Sequence, residues 1–600
     1  MFLRCHHRKK NGKSHRYWSV VESRRLSGGQ TAQRQVLYLG EINDSQQEAW
    51  RRTLEVFDEQ QGAYRPMSLF PADQPLPEGA LDALAVDLSR LTLRRARKFG
   101  DVWLGLTLWR ELGLEEFWTQ HLGNDRGAVP WSKVLGILAL NRLCAPASEF
   151  LVHRRWFLGT ALDELLGVDF AAVDKDRLYR CLDRLLPHKD ALFQFLAGRW
   201  KTLFDARFDV LLYDLTSTYF EGSCAQVPKA RHGYSRDGRP DCRQVVIALV
   251  ITTDGFPLAY EVLPGNTSDR TTLKTFLAKI EALYGQARRV WLMDRGVPTE
   301  ADLGRMRAEG VGYLVGTPKS ALDKLEQALV ERPWQEVHEG MRVKLVEKSG
   351  ELYVLAESGA RRAKENAMRR RKLQALVHGL NRLKRTCRDR DRLLEKVAVL
   401  RKQAGRVARF VTIRKPTADQ PVNRETFVCR FARAACRKAL ERDGRYILRA
   451  SIPWAEGLER EGPMLWRWYM QLVQVEEAFR TLKSDLDLRP IFHQLESRVE
   501  AHILVAFLGY ALTVALKAKL QRAAPGLPPR EALASLAAIP MVDVEVPTTD
   551  GRVLVLPRHT EPQAEQMMLL DKLGLTLPAQ PPPRIRAAQV DATAPTGTET

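Results

Sequence analysis

Two aspartates follow apolar runs that have the two-residue period of β-strands. In the first run, RFDVLLYD, Asp214 lies on the face of the alternating apolar side chains, and in the second, VWLMD, Asp294 does the same. An aspartate at the end of one strand is more often a turn or helix-capping residue. Two of them in one sheet predict a pair of carboxylates at the same edge.

A third acidic side chain lies on a predicted helix over residues 465–487. Tyr469, Glu476 and Lys483 are spaced seven residues apart and form one stripe, which runs beside an apolar, core-facing stripe. Glu476 therefore lies at the border of the buried face, where it can meet a sheet, whereas we expect Glu477 to be solvated. Taken alone, this pattern also fits an ordinary amphipathic helix with surface charges.

Three carboxylates that converge at a sheet edge repel one another unless cations neutralise them. Mg²⁺ and Mn²⁺ are hard ions that prefer oxygen ligands. Two such ions about 3.5–4 Å apart can activate a water or a 3′-hydroxyl and stabilise the leaving oxygen of an in-line phosphoryl transfer. The hypothesis is a site for two divalent cations, Mg²⁺ or Mn²⁺, with Asp214, Asp294 and Glu476 as ligands and catalytic residues.

The positive charge of the chain is concentrated in two segments. The 600 residues carry 93 Lys and Arg against 72 Asp and Glu, a net charge of +21. Residues 1–35 and 361–405 hold almost all of this excess, and the remaining sequence is nearly balanced. Two local basic patches indicate a polyanionic partner, most simply nucleic acid.

Several classes of protein are disfavoured by composition. The start, MFLRCHHRKKNGK, has no apolar core, so no secretory signal is expected there. The longest apolar run, residues 503–516, is shorter than the roughly 20 residues of a membrane span and predicts a buried helix. The eight cysteines form no CxxC pair, which supports neither a disulfide framework nor a zinc site. We expect a cytoplasmic protein that does not enter a membrane.

The elements that must position the three acids are predicted to form an α/β protein. Three antiparallel-type strands followed by alternating helices and strands are the order of a ribonuclease-H-like core, a mixed sheet with flanking helices. A β-rich insertion interrupts it. The predicted regions are a basic, β-rich N-terminal region (1–95), a helical domain (96–205), the first core part (206–319), an insertion with basic helices (320–464), the second core part (465–525), and a C-terminal hairpin with a disordered tail (526–600).

The motifs around the acids resemble those of DDE transposases of the large bacterial insertion-sequence group four. That group carries a Tyr-x2-Arg-x3-Glu-x6-Lys signature on the helix of the third acid, and this chain reads YMQLVQVEEAFRTLK. Tyr469, Glu476 and Lys483 match the signature, whereas Leu472 stands at the arginine position, with Arg480 one turn past Glu476 as a substitute. The segments YDLTSTYFEG and RHGYSRDGRPDCRQVVIAL are also similar, and the resemblance covers about residues 206–520.

The resemblance implies roles for individual residues and for partners. It implies that Asp214, Asp294 and Glu476 bind the metal ions, and that Tyr469, Lys483 and Arg480 contact DNA near the scissile phosphate. It also implies cleavage at the terminal inverted repeats of the element, transfer of 3′-hydroxyl ends to target DNA, and a homodimer that bridges two ends. A bacterial, nucleoid-associated location follows from the same likeness.

Two alternatives remain open from the sequence. One is a ribonuclease-H-like nuclease without strand transfer, and the other is a non-catalytic DNA-binding protein derived from a transposase. Other residues receive structural interpretations: His232 and Tyr234 belong to a glycine-containing loop, with DNA contact as the alternative, and His493 and His502 flank a turn and a helix start. The repeat sequence, the target preference, the excision pathway and the region that reads the ends are not encoded in these patterns.

Overall fold

The computed structural model is a mixed α/β structure built around a nine-stranded sheet. Its strands and helices alternate through the middle of the chain, as the sequence predicted. The described residues are 2–10, 13–25, 31–40, 55–58, 63–66, 74–75, 86–123, 129–169, 172–268, 272–285, 288–317, 332–454, 461–549 and 551–586.

The N-terminal strands form a separate antiparallel sheet in the order β1-β2-β3. The segments YWSVVESRRL and QVLYLGEI have the sequence pattern of strands and overlap β2 and β3, whereas the Gly-Gly turn predicted between them lies outside the described residues. The strands of this region are β1 (Phe2–Lys10), β2 (Lys13–Arg25), β3 (Thr31–Gly40), β4 (Glu55–Asp58), β5 (Ala63–Pro66) and β6 (Gln74–Pro75).

A helical layer follows β7 (Thr92–Lys98), as predicted for residues 96–205. Its third helix is buried on nearly every side because its residues are apolar all round, which is the pattern of a helix in the middle of a core. The helices of the layer are α1 (Gly100–Glu111), α2 (Leu114–Leu122), α3 (Trp131–Cys144), α4 (Leu162–Leu166), α5 (Lys175–Leu182) and α6 (Lys189–Phe204).

The first half of the central sheet has the strand order β10-β9-β8-β11-β12. Strands β8, β11 and β12 are parallel to one another, and β9 is antiparallel to β8 and β10. The elements are β8 (Val210–Tyr219), β9 (Gln244–Thr252), β10 (Pro257–Pro264), α7 (Leu273–Tyr284), β11 (Val290–Met293), α8 (Glu300–Ala308) and β12 (Gly312–Thr317).

The start of α7 differs from the sequence prediction. The sequence SDRTTLKTFLAKI predicts an N-cap at Ser268 or at Asp269, which lies outside the described residues, but the helix begins at Leu273 with Thr272 in the N-cap position. The Thr272 hydroxyl is instead 2.7 Å from the hydroxyl of Tyr213, in the middle of β8, so it fastens the helix to the sheet.

Four described strands of the predicted β-rich insertion, residues 320–464, extend the central sheet, and two further strands, β16 and β17, pair only with each other. The order continues from β12 as β18-β15-β14-β13, all in antiparallel pairs. These strands are β13 (Gln335–His338), β14 (Met341–Lys348), β15 (Glu351–Ser358) and β18 (Arg445–Ser451).

A helical lobe, residues 359–441, projects from this half of the sheet between β15 and β18. It has a core of its own, in which Leu380, Leu393 and Phe427 are buried. The helical spacing of Leu376, Val377 and Leu380 predicts one apolar face, but Val377 is 38% exposed. The elements of the lobe are α9 (Gly359–Thr386), α10 (Arg390–Ala404), β16 (Val411–Arg414), β17 (Val428–Phe431) and α11 (Arg433–Glu441).

The helix predicted over 465–487 is broken in two. Helix α12 (Gly462–Met470) and helix α13 (Leu472–Arg480) are separated by Gln471, which caps both. A π-helical turn over Thr481–Asp485 follows α13. The long helix α14 (Glu496–Ala523) contains the predicted apolar run. It is long and apolar enough to cross a membrane, but 89% of that apolar stretch is buried inside the protein, as in the core helix of a globular fold.

Strands from residues 74–98 and 540–586 meet in a five-stranded sheet with the order β6-β21-β20-β19-β7. The buried Arg97 of β7 pairs with Asp543 of β19 at 2.7 Å. The predicted hairpin is confirmed, but Arg584–Arg586, assigned to a disordered tail, pairs with β20; residues 587–600 lie outside the described residues. The elements are α15 (Pro529–Ala537), β19 (Pro540–Pro547), β20 (Val553–His559), α16 (Ala564–Leu573) and β21 (Arg584–Arg586).

Because the lobe has its own core, we expect Leu393→Ala to loosen the lobe selectively. Leu393 is fully buried, and truncation of a buried leucine costs about 2–5 kcal/mol of stability. Amide hydrogen exchange of residues 359–441 should accelerate in this variant, while the central sheet stays protected. Val399→Ala, on the same helix at 54% exposure, is the matched control and should leave exchange unchanged. Equal acceleration across the whole protein would contradict an independent lobe core.

Candidate active site

Asp214 and Asp294 lie side by side on neighbouring parallel strands. The register pairs Met293 at the end of β11 with Tyr213 of β8. Asp294 and Asp214 are the residues that immediately follow this pair. Asp214 is half-buried and Asp294 is exposed. In both aspartates one carboxylate oxygen accepts a hydrogen bond from the backbone N–H of the following residue, at 2.8 Å. The sequence prediction that both strands belong to one sheet is therefore met.

Both aspartates lie on the sheet face that is covered by α14. Tyr213 contacts Thr272 of α7 on the opposite face, so its neighbour Asp214 lies on the α14 side by strand alternation. Asp214 is in a row with Tyr260 across β9, and the Tyr260 ring is 5.0 Å from that of Phe507 on α14. Helices α12 to α14 therefore cover the face on which the two aspartates lie.

Glu476 comes from α13, which packs against β8, the strand of Asp214. Val475 and Phe479 form its buried stripe, and Glu476 is exposed beside that stripe, as the seven-residue spacing predicted. The three acids are not drawn into a tight cluster. Among the described residues, only one group of three acidic, histidine or cysteine ligand atoms lies within 4.8 Å of one another, and it belongs to other residues.

Tyr469 of α12 reaches the second aspartate. Its hydroxyl donates a hydrogen bond to Asp294 Oδ1 at 3.4 Å. A Cβ atom at Gly316 of β12 would lie 2.5 Å from the same hydroxyl, so the tyrosine needs a glycine beneath it. Burial, and then the negative charge of Asp294, raise the pKa of Tyr469 well above the ordinary tyrosine value, so the hydroxyl stays a donor.

Lys483 is buried and already paired. Its ammonium group donates to Asp237 Oδ1 at 2.9 Å, and Arg489 donates to the same oxygen. Burial lowers the pKa of Lys483, although Asp237 opposes the shift. Asp237 belongs to the glycine-containing loop RHGYSRDG, so this ion-paired group ties that loop to the segment that follows Glu476.

The two remaining candidates on α13 differ in their surroundings. Arg480 is exposed to solvent, one turn past Glu476. The prediction that Glu477 is solvated is wrong, because Glu477 is half-buried and pairs with Lys517 of α14 at 3.0 Å. The first glutamate of the pair is therefore the exposed one, and the second fastens two helices together.

A basic cleft of about 1230 Å³ opens beside Asp294 and Tyr469, between the central sheet and the helical lobe. Eight cationic side chains line it against three carboxylates, which gives it a strong positive potential. Lys372 and Arg406 are among the exposed cations. The cationic residues are Arg295, Arg361, Arg369, Lys372, Arg401, Arg406, Arg409 and Arg442.

The compact group of ligand atoms is formed by Glu149, His493 and His502. Arg142 donates to His502 Nδ1 at 3.2 Å and lies 3.9 Å from Glu149. A guanidinium already supplies positive charge there, so this buried group is a structural network between α3 and α14. Burial, and then Arg142, lower the pKa of His502 to about 4.

Comparison with protein families identifies the family of this chain. The family model described as the transposase DDE domain matches residues 206–512, just over half of the chain. The chain belongs to the DDE transposase family. The model for the IS1634 family transposase, N-terminal domain, matches residues 3–63. No curated protein matches the chain.

The protein is therefore a DNA transposase of an insertion-sequence element, and DNA is its partner. DDE transposases use divalent metal ions, and the three acids suit them: they offer carboxylate oxygens, the donors that hard divalent ions prefer. The basic cleft beside Asp294 suits a polyanion for the same electrostatic reason.

Sequence patterns missed two features of this transposase. Asp237 could not be matched to Lys483, because 246 residues separate the two partners and the helical stripe of Lys483 carries no information about a residue in a distant loop. The charge count found the basic helices, but not that Arg295 and Arg442 complete a cleft with them.

The His502 network makes the folded state sensitive to acid. Below pH 6.5 the unfolded imidazole takes up a proton, whereas the folded one does not until about pH 4, so stability falls as pH drops through this window and returns as pH rises. The full effect is about 3 kcal/mol. Melting temperatures from pH 7 to pH 4 should fall less steeply for His502→Gln than for the wild type. The exposed control, His232→Gln, should keep the wild-type slope; an unchanged slope in His502→Gln would refute the assignment.

The cleft should bind the DNA backbone. We expect Lys372→Ala and Arg406→Ala each to weaken binding to every DNA sequence alike, and to reduce the slope of log affinity against log salt by about one. Titrations at several salt concentrations measure both effects. Lys572→Ala, an exposed cation on the C-terminal helix α16, is the control and should leave the slope intact. Unchanged slopes in both cleft variants would place the DNA elsewhere.

Proposed function

We propose that this transposase cuts DNA at the ends of its element and joins the 3′-hydroxyl ends to target DNA, with Asp214, Asp294 and Glu476 as the catalytic carboxylates. The observation that carries the proposal is the pair of in-register aspartates on parallel strands, with an exposed glutamate on the helix that packs against one of them. All three lie inside the matched transposase domain.

The same three residues would hold two divalent cations, Mg²⁺ or Mn²⁺. Such ions, when bound, supply positive charge for the scissile phosphate and its leaving oxygen. The carboxylates are accessible to ions because Asp294 and Glu476 are exposed and Asp214 is half-buried.

The protein's own groups orient the reaction. Tyr469 holds one oxygen of Asp294 and leaves the other free to turn toward the site. Water attacks the scissile phosphate first, the bond to the 3′-oxygen breaks, and that oxygen leaves as the 3′-hydroxyl. The 3′-hydroxyl then attacks a target phosphate and displaces its 3′-oxygen, without a covalent protein–DNA intermediate. The proposed DNA contacts are Tyr469, Arg480 and Lys483. Lys483 contacts a phosphate after it exchanges Asp237 for that phosphate.

The strand order β10-β9-β8-β11-β12, with one antiparallel strand in second position, supports a ribonuclease-H-like core. In this proposal the core comprises 206–319 and 465–525, and residues 320–464 are an insertion whose strands lengthen the core sheet. The flanking regions 1–95, 96–205 and 526–600 complete the chain. A homodimer would bring two element ends together.

Nuclease activity without strand transfer is the alternative. The carboxylates serve both reactions, so a strand-transfer assay with a precut 3′-hydroxyl end and Mg²⁺ separates them: joined products support the transposase reaction, and hydrolysis alone supports the nuclease.

Glu476→Gln should reduce DNA cleavage to below about one hundredth of the wild-type rate, because it removes a negative ligand from the proposed cation site. DNA affinity should change little, since the variant removes no cation. Glu477→Gln is the matched control: it lies next in sequence but pairs with Lys517, so cleavage should persist.

Cleavage is measured on supercoiled plasmid and binding by titration with labelled duplex. Full activity of Glu476→Gln, or loss of activity only in Glu477→Gln, would show that the third acid has been misassigned.

A further inference from the structure

Tyr234 is the large hydrophobic residue with the highest exposure among the described residues, at 83%. It belongs to the loop 231–238, and it lines a small cavity of about 230 Å³. Gly296, two residues after Asp294, lines the same cavity, so the tyrosine stands at the rim of the candidate active site. We propose that Tyr234 stacks on one unpaired DNA base next to the scissile phosphate. This inference rests on the proposed function of the three carboxylates.

The loop that carries Tyr234 is held in place by buried contacts. The side-chain amide of Gln244, which is buried in β9, donates to the carbonyl oxygens of Tyr234 at 3.0 Å and Gly265 at 2.9 Å. A Cβ atom on Gly233 would collide with the Gly265 carbonyl, so two backbones touch here. The backbone that carries the ring is therefore held in one position, which lowers the entropy that an ordered contact would cost.

A second anchor connects the loop to the third-acid helix. Asp237 accepts hydrogen bonds from Lys483 and Arg489 on the segment that follows Glu476. The loop therefore spans from the Glu476 side of the site to the Asp294 side.

The chemistry of the cavity fits a nucleobase. An aromatic face is the sequence-tolerant platform on which single-stranded bases stack. Arg236 is the charged residue among the described residues that line the cavity, so the cavity wall favours a phosphate beside the base. The cavity is smaller than the roughly 300 Å³ at which drug-sized pockets begin, which suits one flat ring system.

The test uses two probes of the same sequence, a blunt duplex and a duplex with a short unpaired extension that carries 2-aminopurine at its first unpaired position. Metal is omitted, so cleavage plays no part. Wild-type protein should bind the extended probe more tightly and quench its fluorescence. Tyr234→Ala should weaken binding of the extended probe by about tenfold, abolish the quenching, and leave the blunt duplex within about twofold.

Three variants separate stacking from other roles. Tyr234→Phe keeps the ring and should behave as the wild type, and Met568→Ala, an exposed side chain on α16, should change neither probe. Glu476→Gln should bind and quench fully, so failure of the catalytic assignment and failure of the stacking assignment are separate results. Equal loss of both probes in Tyr234→Ala, no loss at all, or a loss in Tyr234→Phe as large as in Tyr234→Ala would overturn the proposal.

Discussion

The parallel pairing of β8 with β11 is the constraint on which the candidate site depends. It fixes Asp214 and Asp294 in adjacent positions on one sheet face, and like charges so close are tolerated only where solvent or cations compensate them. The sheet beneath must be rigid to hold them there, and it is: the strands β8 and β9 are almost entirely buried between helices on both faces. The buried sheet that stabilises the fold therefore also positions the two aspartates, at the point where β11 ends and β8 continues.

The positive charge of the helical lobe lies beside that negative centre, next to Asp294. The helical lobe carries its basic surface on a separate small core and faces the sheet across the cleft, so the cations stand beside the carboxylates without neutralising them directly. Ion pairs elsewhere have a different role. The buried pair of Asp237 with Lys483 and the partly exposed pair of Glu477 with Lys517 fasten elements to one another, and in the buried pair each charge offsets the cost of burying the other.

Much of this arrangement could be predicted from local pattern. Period-two runs identified β8 and β11, and seven-residue spacing placed Glu476 beside the buried stripe of its helix. The sequence did not distinguish strands that lengthen the catalytic sheet from strands of a separate insertion, because strand pairing partners are not written in a strand's own periodicity. Glu477 was misassigned for a similar reason: its partner Lys517 is distant in the chain, and helical geometry alone describes only neighbours. The start of α7 was predicted wrongly because Thr272 occupies the N-cap position without making the side-chain hydrogen bond that usually marks a cap.

The sheet that unites β6 and β7 with β19 to β21 has a consequence for the order in which the molecule is made. Strand β7 leaves the ribosome early, but Asp543, which neutralises the buried Arg97, is synthesised more than 440 residues later. Until then Arg97 pairs with Asp163 and Glu164 without Asp543, and β7 lacks the neighbouring strand β19, so this sheet can close only late in translation. A chain that stops before β19 therefore lacks the strand that pairs with β7.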